Sequence, residues 1–285
     1  MSRYYLSVLA VFRNESHIMK EWICHYIMEG VDHFYLLNNF STDNYTTVLK
    51  EFEHCVTVYN TVTPNDMLSD AQTSYYKTVF ESYILGNTEW LIVVDLDEFM
   101  YSKTLNLKNE LRHLNFCNPN LALIRMGWKI FGSNGYIKQP KSVVKHFTKR
   151  GTCIDALTKN VFKADCVQSF NSHNVRLKEG YDTITVPGTE LTMYNICQSE
   201  EDITNSNILL NHYRLQSKEY WMNSKMKRGD FNRENSEMYL NNEYFENLDK
   251  ISNTVIDTEL YHKNQVIYDT IVEHDELIHS SKLRN

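Results

Sequence analysis

Glycine and proline are scarce in this sequence of 285 residues, with 9 and 4 copies. No linker, low-complexity segment or internal repeat is visible in it. No stretch approaches about 18 consecutive apolar residues, and the amino-terminal MSRYYLSVLAVFRNES holds no long apolar segment. We therefore expect neither a membrane span nor a signal peptide, and a cytoplasmic location.

Positive charge is also in short supply, because 29 Lys and Arg face 36 Asp and Glu, for a formal net charge of −7. This balance argues against general nucleic-acid binding, which needs a basic face. An anionic ligand would need a local basic cluster or a metal ion. The six cysteines include no Cys-x-x-Cys pair, and reduced, partly buried thiols are their simplest interpretation.

What the chain does have is an alternation of strand and helix patterns over its first 95 residues or so. Strands are predicted at Tyr4 to Phe12, His33 to Leu37, Cys55 to Tyr59 and from Trp90. The alternation predicts βαβ units and an α/β fold with a parallel, doubly wound sheet.

The second half is less regular. We expect one domain over 1–232, with halves 1–100 and 101–232, and a helical extension at 233–285 packed on it. The predicted elements are helices at Leu105 to Leu114 and Glu219 to Arg228, and strands at Leu121 to Phe131, Ser142 to Phe147, Leu157 to Phe162, His173 to Leu177, Tyr181 to Val186 and Ile208 to Tyr213.

The apolar run from Trp90 ends abruptly in the carboxylates of Asp95, Asp97 and Glu98. In an open α/β sheet, ligands bind at the carboxyl ends of the strands. Three neighbouring carboxylates favour a hard divalent cation such as Mn²⁺ or Mg²⁺. A solvated acidic turn is the alternative.

Two further polar loops follow predicted strands and share that edge of the sheet, which predicts a nucleotide-sized cleft. Capping and ordinary turn formation explain several of these side chains equally well. The candidate ligand contacts are Arg13, Asn14 and Glu15 on the first loop, Asn39 and Asp43 on the second, and Asp70 and Gln72 at the start of a later helix.

The candidate functional residues of the second half do not form one continuous motif. His212 ends a short apolar run, and as neutral imidazole it suits Mn²⁺, although a structural role is the commoner one for a lone histidine. A basic cluster of Arg214, Lys225, Lys227 and Arg228 is either a phosphate clamp or a solvated helix face. Trp128 suits a sugar surface or the core. His146, His173 and Asp155 are candidate proton acceptors.

Four blocks together resemble glycosyltransferase family 92 and its relatives among the family-2-like enzymes. They are VFRNESHIMKEWICHYIMEGVDHFYLLNN, WLIVVDLDEF, GWKIFGSNGY and NHYRLQSKEYWMNSKMKRG, and they span about residues 8–230. The resemblance implies a GT-A fold, a nucleotide-sugar donor that is usually a UDP-sugar, Mn²⁺ at the Asp-x-Asp motif, and transfer with inversion.

The resemblance also assigns residues one by one. The matches are Asp95 and Asp97 to the Asp-x-Asp motif, Arg13, Asn14 and Glu15 to the first loop, Asn39, Ser41 and Asp43 to the second, Gln72 to a glutamine before the motif, and His212 with Arg214 to a His-Tyr-Arg motif. Animal members carry a membrane anchor, and this chain more closely resembles the compact bacterial or large-virus members. The final 50 residues or so match no pattern.

From these parts we expect a metal at Asp95, Asp97 and His212 that neutralises the diphosphate, assisted by Arg214 or by the cluster from Lys225 to Arg228. Asp155 is the first choice of base for a glycan hydroxyl, ahead of His146 and Glu98. The Gly132 to Gly135 turn, with Ser133, and Trp128 are expected to border the acceptor.

Two other functions fit parts of the pattern. A haloacid-dehalogenase-type phosphatase also has a strand ending in Asp-x-Asp, but it needs Thr or Val where this chain has Phe99. A non-catalytic nucleotide- or sugar-binding module would bind UDP without a metal requirement and without turnover.

Overall fold

The computed structural model describes residues 2–62, 71–152, 155, 157–186, 189–192, 195–228 and 240–271. The strands are β1 Tyr4–Phe12, β2 His33–Asn38, β3 Val56–Asn60, β4 Thr88–Val93, β5 Glu98–Ser102, β6 Leu121–Gly127, β7 Lys129–Ile130, β8 Lys149–Arg150, β9 Thr158–Lys163, β10 Val167–Phe170, β11 Val175–Leu177, β12 Asp182–Thr185, β13 Thr189–Thr192, β14 Asn195–Cys197, β15 Ile208–His212 and β16 Val255–Ile256.

The helices are α1 Ser16–Met28, α2 Tyr45–Leu49, α3 Ala71–Val79, α4 Leu107–Cys117, α5 Val143–His146, α6 Glu200–Asn205, α7 Lys218–Tyr220, α8 Met226–Arg228, α9 Asn242–Ser252 and α10 Glu259–Lys263. A π-helical turn, Phe80–Ile84, extends α3, and a second, Trp221–Lys225, joins α7 to α8.

The main sheet has seven strands in the order β12-β6-β9-β4-β1-β2-β3. The strands β4, β1, β2 and β3 are parallel, and β9 runs antiparallel to both of its neighbours. The predicted α/β class with a mostly parallel sheet is therefore confirmed. The carboxyl ends of β1, β2 and β4 lie at one edge, as the sequence pattern predicts for parallel strands.

Alternate side chains of the central strands enter cores on opposite faces of the sheet. On one face, Val8 and Ile92 pack with Trp22 of α1 and Leu111 of α4. On the other face, Leu9, Val93 and Leu37 pack with Tyr76 of α3. Helices thus cover both faces of the sheet, as expected for doubly wound strands.

A second sheet, β5-β15-β7, stands beyond the carboxyl end of β4. The strands β15 and β5 are antiparallel, with His212 opposite Glu98 in the register. In the main sheet, Asn160 of β9 is opposite Val93 of β4, so Lys159 reaches past the end of β4. These two pairings bring second-half side chains to the acidic turn.

Two local predictions are wrong, and one strand was missed. Residues of the predicted strand from Ser142 to Phe147 form α5, because the Ser142 side chain caps Lys145 N and Glu21 accepts the first helical N–H groups. The predicted long strand from Leu121 splits at Trp128 into β6 and β7, which belong to different sheets. The strand β5, which continues from Glu98, was not predicted.

The described part of the carboxyl-terminal region packs on the rest of the chain. Asp249 of α9 accepts hydrogen bonds from Ser133 N and Ser133 Oγ, at 2.6 and 2.9 Å. Asp257 forms an ion pair with Lys129 at 2.9 Å. The boundary at residue 232 stays a prediction. Among the described helices, none has both the length and the hydropathy needed to cross a membrane.

Candidate active site

The acidic residues after β4 form a tight turn. Glu98 N donates to Asp95 O at 3.1 Å, and Asp95 N donates to Glu98 Oε2 at 3.0 Å. From α1, Trp22 Nε1 donates to the carbonyl oxygens of both Asp95 and Glu98, at 3.1 and 3.0 Å. Hydrogen bonds within the turn and from Trp22 therefore hold its backbone in place without a ligand.

Lys159 of β9 joins two of the carboxylates. Its Nζ lies 2.9 Å from Asp95 Oδ2 and 3.1 Å from Glu98 Oε2, and its side chain is 0% exposed. Burial would lower the pKa of Lys159, but the two carboxylates raise it above its usual value. Lys159 is therefore a permanent positive charge against the turn.

Asp97 has partners from the second half on both carboxylate oxygens. Lys225 Nζ lies 2.8 Å from Asp97 Oδ2 and also donates to Arg214 O at 2.9 Å. His212 Nε2 lies 3.4 Å from Asp97 Oδ1. The second sheet and the helical region after it thus meet the first-half motif at this aspartate.

The pKa values of the three acids diverge. Burial acts to raise the pKa of Asp95 and of Asp97, but Lys159 holds the first below its usual value, and Lys225 with His212 holds the second well below it. Burial raises the pKa of Glu98 to about 7. Near neutral pH, both aspartates are therefore ionised, whereas Glu98 is close to its titration point.

The donor set at this turn fits a divalent ion of the Mn²⁺ type. No group of three or more His, Cys, Asp or Glu side chains is gathered for a metal among the residues that the structure describes. Mg²⁺-like ions, however, are commonly held by one or two carboxylates together with substrate phosphates. His212 Nδ1 and Glu98 Oε1 are buried without hydrogen-bond partners and lie 3.9 Å apart. A carboxylate behind the second ring nitrogen is typical of histidines that bind a metal through the first.

The first two polar loops are bonded to each other. Asn14 N donates to Ser41 Oγ at 3.0 Å, and Thr42 N donates to Asn14 Oδ1 at 2.7 Å. Asp43 Oδ2 accepts from Ser16 N at 2.7 Å, at the start of α1. Asn14 adopts a left-handed φ of 55°. The expected convergence of these loops is observed, although several candidate polar groups already have intramolecular partners.

The remaining nucleotide-side candidates lie beside the same loops. Glu15 is buried, and Arg13 is half-buried. Asn39 Oδ1 accepts from Thr61 Oγ1 at 3.3 Å. Gln72 Nε2 donates to the hydroxyl of Tyr76 at 3.1 Å. Burial, followed by the charge of Asp95, raises the pKa of Tyr76, so Gln72 contacts a tyrosine close to the acidic turn. Asp70 and the side chain of Arg228 lie outside the described residues.

Two rings stand beside His212. The Trp128 ring centroid lies 4.6 Å from that of His212 and 5.6 Å from that of His173. Trp128 Nε1 is buried without a hydrogen-bond partner. Burial lowers the pKa of His173 to about 4, which keeps it neutral near pH 7. This corner can therefore offer an aromatic surface and uncharged hydrogen-bonding groups to a ligand.

The three candidate bases have different surroundings. Asp155 Oδ2 lies 3.5 Å from Arg214 NH1, and its side chain is 27% exposed. Glu98 is 0% exposed and faces Lys159. His146 Nδ1 lies 2.8 Å from Ser142 O, and its ring lies against Tyr136. Of the three, Asp155 combines access with a position beside the basic cluster.

Ser133, expected at the acceptor side, is 2% exposed and bonded to Asp249 of α9. Arg214 lies over the ring of Tyr244, 5.5 Å from its centroid, and so also contacts α9. The helix α9 therefore supports the expected acceptor side.

Sequence reasoning missed Lys159. Its signal was present, because this lysine occupies the strand predicted from Leu157 to Phe162 and needs an anionic partner once buried. Its partner could not be named, since the sequence does not show that β9 lies next to β4.

Residues 4–255 match the family model described as glycosyltransferase family 92. The match covers most of the chain, and the chain belongs to this family of glycosyltransferases. A family 92 protein of Ricinus communis is 23% identical over 182 residues, or 62% of this chain. The aligned part is 32% of the Ricinus protein, so this chain spans about a third of that relative's length.

Solved structures give distant matches. TarS residues 1–349 of S. aureus are 13% identical, with a TM-score of 0.36, over 56% of this chain and 47% of that one. Glucosyl-3-phosphoglycerate synthase of Mycobacterium tuberculosis, with Mn²⁺ and UDP-glucose, is 13% identical, with a TM-score of 0.33, over 59% and 58%. At this distance neither protein's ligands transfer to the present chain.

Proposed function

We propose that this chain is a metal-dependent glycosyltransferase of GT-A type that moves a sugar from a nucleotide donor, most simply a UDP-sugar, to a glycan hydroxyl with inversion. Membership of glycosyltransferase family 92 supports the activity class. The observation that carries the site is the pairing of Asp97 with His212 beside Asp95, at the carboxyl edge of the parallel strands. Nucleotides bind at this edge in open α/β sheets.

In the proposed site, Asp97, His212 and the Oδ1 atom of Asp95 would hold Mn²⁺ or Mg²⁺. The ion would supply a counter-charge for the diphosphate as the sugar leaves. Lys225, which contacts Asp97 Oδ2 and the carbonyl oxygen of Arg214, would share that task, and Arg214 is the proposed second cation. The loops of Asn14, Ser41 and Asp43 would enclose the nucleoside.

The proposed base is Asp155, which would accept the proton of the acceptor hydroxyl. Its Oδ2 atom lies 3.5 Å from NH1 of Arg214. Trp128 and His173 would border the sugar with an aromatic face and neutral donors. Transfer with inversion requires this base on the side of the sugar opposite the diphosphate.

A screen of nucleotide sugars by thermal shift and product release, with and without Mn²⁺, tests the proposal. We expect one UDP-sugar to give both signals, and only in the presence of metal. Asp97→Asn should lower turnover by about a thousandfold. Its unfolding temperature should also fall, because buried Lys225 loses its anionic partner, so turnover is compared well below that temperature. Full turnover in excess EDTA would overturn the metal role. Nucleotide binding without any turnover would favour the non-catalytic binding module.

Asp165→Asn is a matched control for Asp97→Asn, because Asp165 is exposed in the turn that follows β9. It makes the same change of charge and shape away from the acidic turn. We expect turnover like that of wild type in this variant. For the base, Asp155→Asn should reduce transfer but not the binding of UDP. Unchanged transfer in Asp155→Asn would remove the assignment.

A further inference from the structure

The acidic turn carries its own counter-charges. Lys159 and Lys225 have side chains that are 0% and 5% exposed, and they lie 2.8 to 3.1 Å from the three carboxylates. At this depth their charges are poorly screened by salt. The nearest carboxylates and lysines therefore largely balance each other in the absence of any ligand.

Each lysine donates a hydrogen bond to one carboxylate oxygen of an aspartate. Lys159 Nζ donates to Asp95 Oδ2, and Lys225 Nζ donates to Asp97 Oδ2. A free divalent cation would meet carboxylates that are already compensated, and it would stand close to two like charges. The Coulomb repulsion between such neighbours is considerable in a partly desolvated site.

A nucleoside diphosphate would offset the repulsion between a divalent cation and the two lysines. Its phosphate oxygens carry negative charge that offsets both the metal ion and the lysines. A lysine has three N–H donors and a flexible stem, so Lys225 can share its ammonium between Asp97 and a phosphate oxygen. Lys159 lies fully buried between two carboxylates and holds the turn in shape throughout.

We infer that Lys159 and Lys225 act as internal counter-cations, so that this turn holds a divalent ion as its complex with a nucleoside diphosphate and not as the free ion. The inference rests on the proposed function. Lys159 is in this view a positioning residue, and its effect is on metal affinity as well as on the geometry of the turn.

Titration of the purified chain with Mn²⁺ alone, followed by the EPR signal of the free ion, tests this inference. We expect Lys159→Met to bind free Mn²⁺ at least about tenfold more tightly than wild type, since one repelling charge is gone. Lys163→Met is the matched control, because Lys163 ends the same strand and its Nζ donates to Pro119 O. The control should bind Mn²⁺ like wild type.

A second variant separates charge from folding. Lys225→Met should tighten the binding of free Mn²⁺ in the same direction as Lys159→Met. If Lys159→Met does not fold, the Lys225→Met titration decides.

The outcomes distinguish this inference from the proposed function. Calorimetry of UDP in the presence of Mn²⁺ shows whether wild type has the nucleotide site at all, and no binding would overturn the proposed function. If UDP binds but neither lysine variant tightens free Mn²⁺, the inference alone is overturned. If Lys159→Arg binds free Mn²⁺ as weakly as wild type does, the result would support a role of the positive charge rather than of the side-chain shape.

Discussion

The two halves of the chain supply the candidate site in different ways. In the first half, the polar side chains follow β1, β2 and β4, and parallel pairing places all three loops at one edge. In the second half, Lys159, His212 and Lys225 come from a strand of the main sheet, a strand of the second sheet and a π-helical turn. The first half presents a surface, and the second half provides the charges that complete it.

This difference teaches which features of the site depend on distant pairing. Only Leu96 separates Asp95 from Asp97, but their lysine partners lie 64 and 128 residues away along the chain. An acidic turn without those partners would carry uncompensated buried charge, which is costly. The motif and the second half therefore require each other for stability as well as for any chemistry.

Among the residues that the second half contributes, the largest expected effect on turnover comes from His212. His212→Asn removes the imidazole that faces Asp97 Oδ1 at 3.4 Å. We expect a loss of metal-dependent turnover of at least about a hundredfold, with UDP affinity in Mn²⁺ reduced in parallel. Turnover and calorimetry measure both. His173→Asn, at the neighbouring ring, should lower turnover by less, and equal losses would contradict a ligand role for His212.

Much of the first half could be predicted from the sequence. Apolar runs such as that from Trp90 to Val94 identify buried strands, and short polar loops after them identify the ligand edge. The order β4-β1-β2-β3 follows common rules for βαβ units. The loops around Asn14 and Asp43 were accordingly expected to share one edge of the sheet. The structure shows that these two loops are hydrogen-bonded to each other.

The second half resisted prediction for physical reasons. The residue pattern from Ser142 predicts a strand. The buried Glu21 side chain, 121 residues earlier, instead accepts hydrogen bonds from the first N–H groups of this segment and stabilises a helix. The strand β5 begins within the acidic motif and depends on pairing with β15, more than 100 residues later. Such elements are determined by tertiary contacts that local patterns do not contain.

Glu21→Gln tests that long-range cap. The carboxylate accepts Ser142 Oγ at 2.6 Å, Val143 N at 2.8 Å and Val144 N at 3.1 Å. An amide turns one acceptor into a donor that faces donors, so we expect a loss of roughly 2 kcal/mol in unfolding free energy. Urea unfolding measures it. Glu51→Gln, which breaks an exposed pair with Lys20, should cost less than about 1 kcal/mol. Equal costs would argue against the cap.

A smaller effect is expected from the contact between α1 and the carboxyl-terminal region. His25 Nδ1 lies 3.0 Å from the Tyr268 hydroxyl, and Nε2 lies 2.8 Å from Met100 O. Burial lowers the pKa of His25 to about 3 from its usual value near 6.5. Below about pH 6.5 the unfolded chain takes up a proton that the folded chain does not, so stability falls as pH falls towards 3.

We expect this histidine to contribute a loss of about 1 kcal/mol in unfolding free energy per pH unit below about pH 6. Urea unfolding at pH 7, 6 and 5 measures the slope. His25→Gln has no titrating group, so its slope should be shallower than that of wild type. His113→Gln is the control, because His113 lies on α4 away from this contact and should leave the slope unchanged. Identical slopes in all three proteins would contradict the burial effect.

The smallest expected effect separates structure from binding within the first half. Asp43 Oδ2 accepts from Ser16 N, in the first turn of α1, and the resemblance to family 92 also assigns Asp43 to the nucleotide. Asp43→Asn keeps an acceptor for Ser16 N but removes the charge near the helix terminus, so the stability cost should stay below about 1 kcal/mol. If Asp43 also contacts the ribose, the affinity for UDP measured by calorimetry should fall by several-fold more than this small loss explains. Unchanged UDP affinity would leave Asp43 a structural link between the two loops, and it would shift the nucleotide contacts towards Asn39 and Gln72.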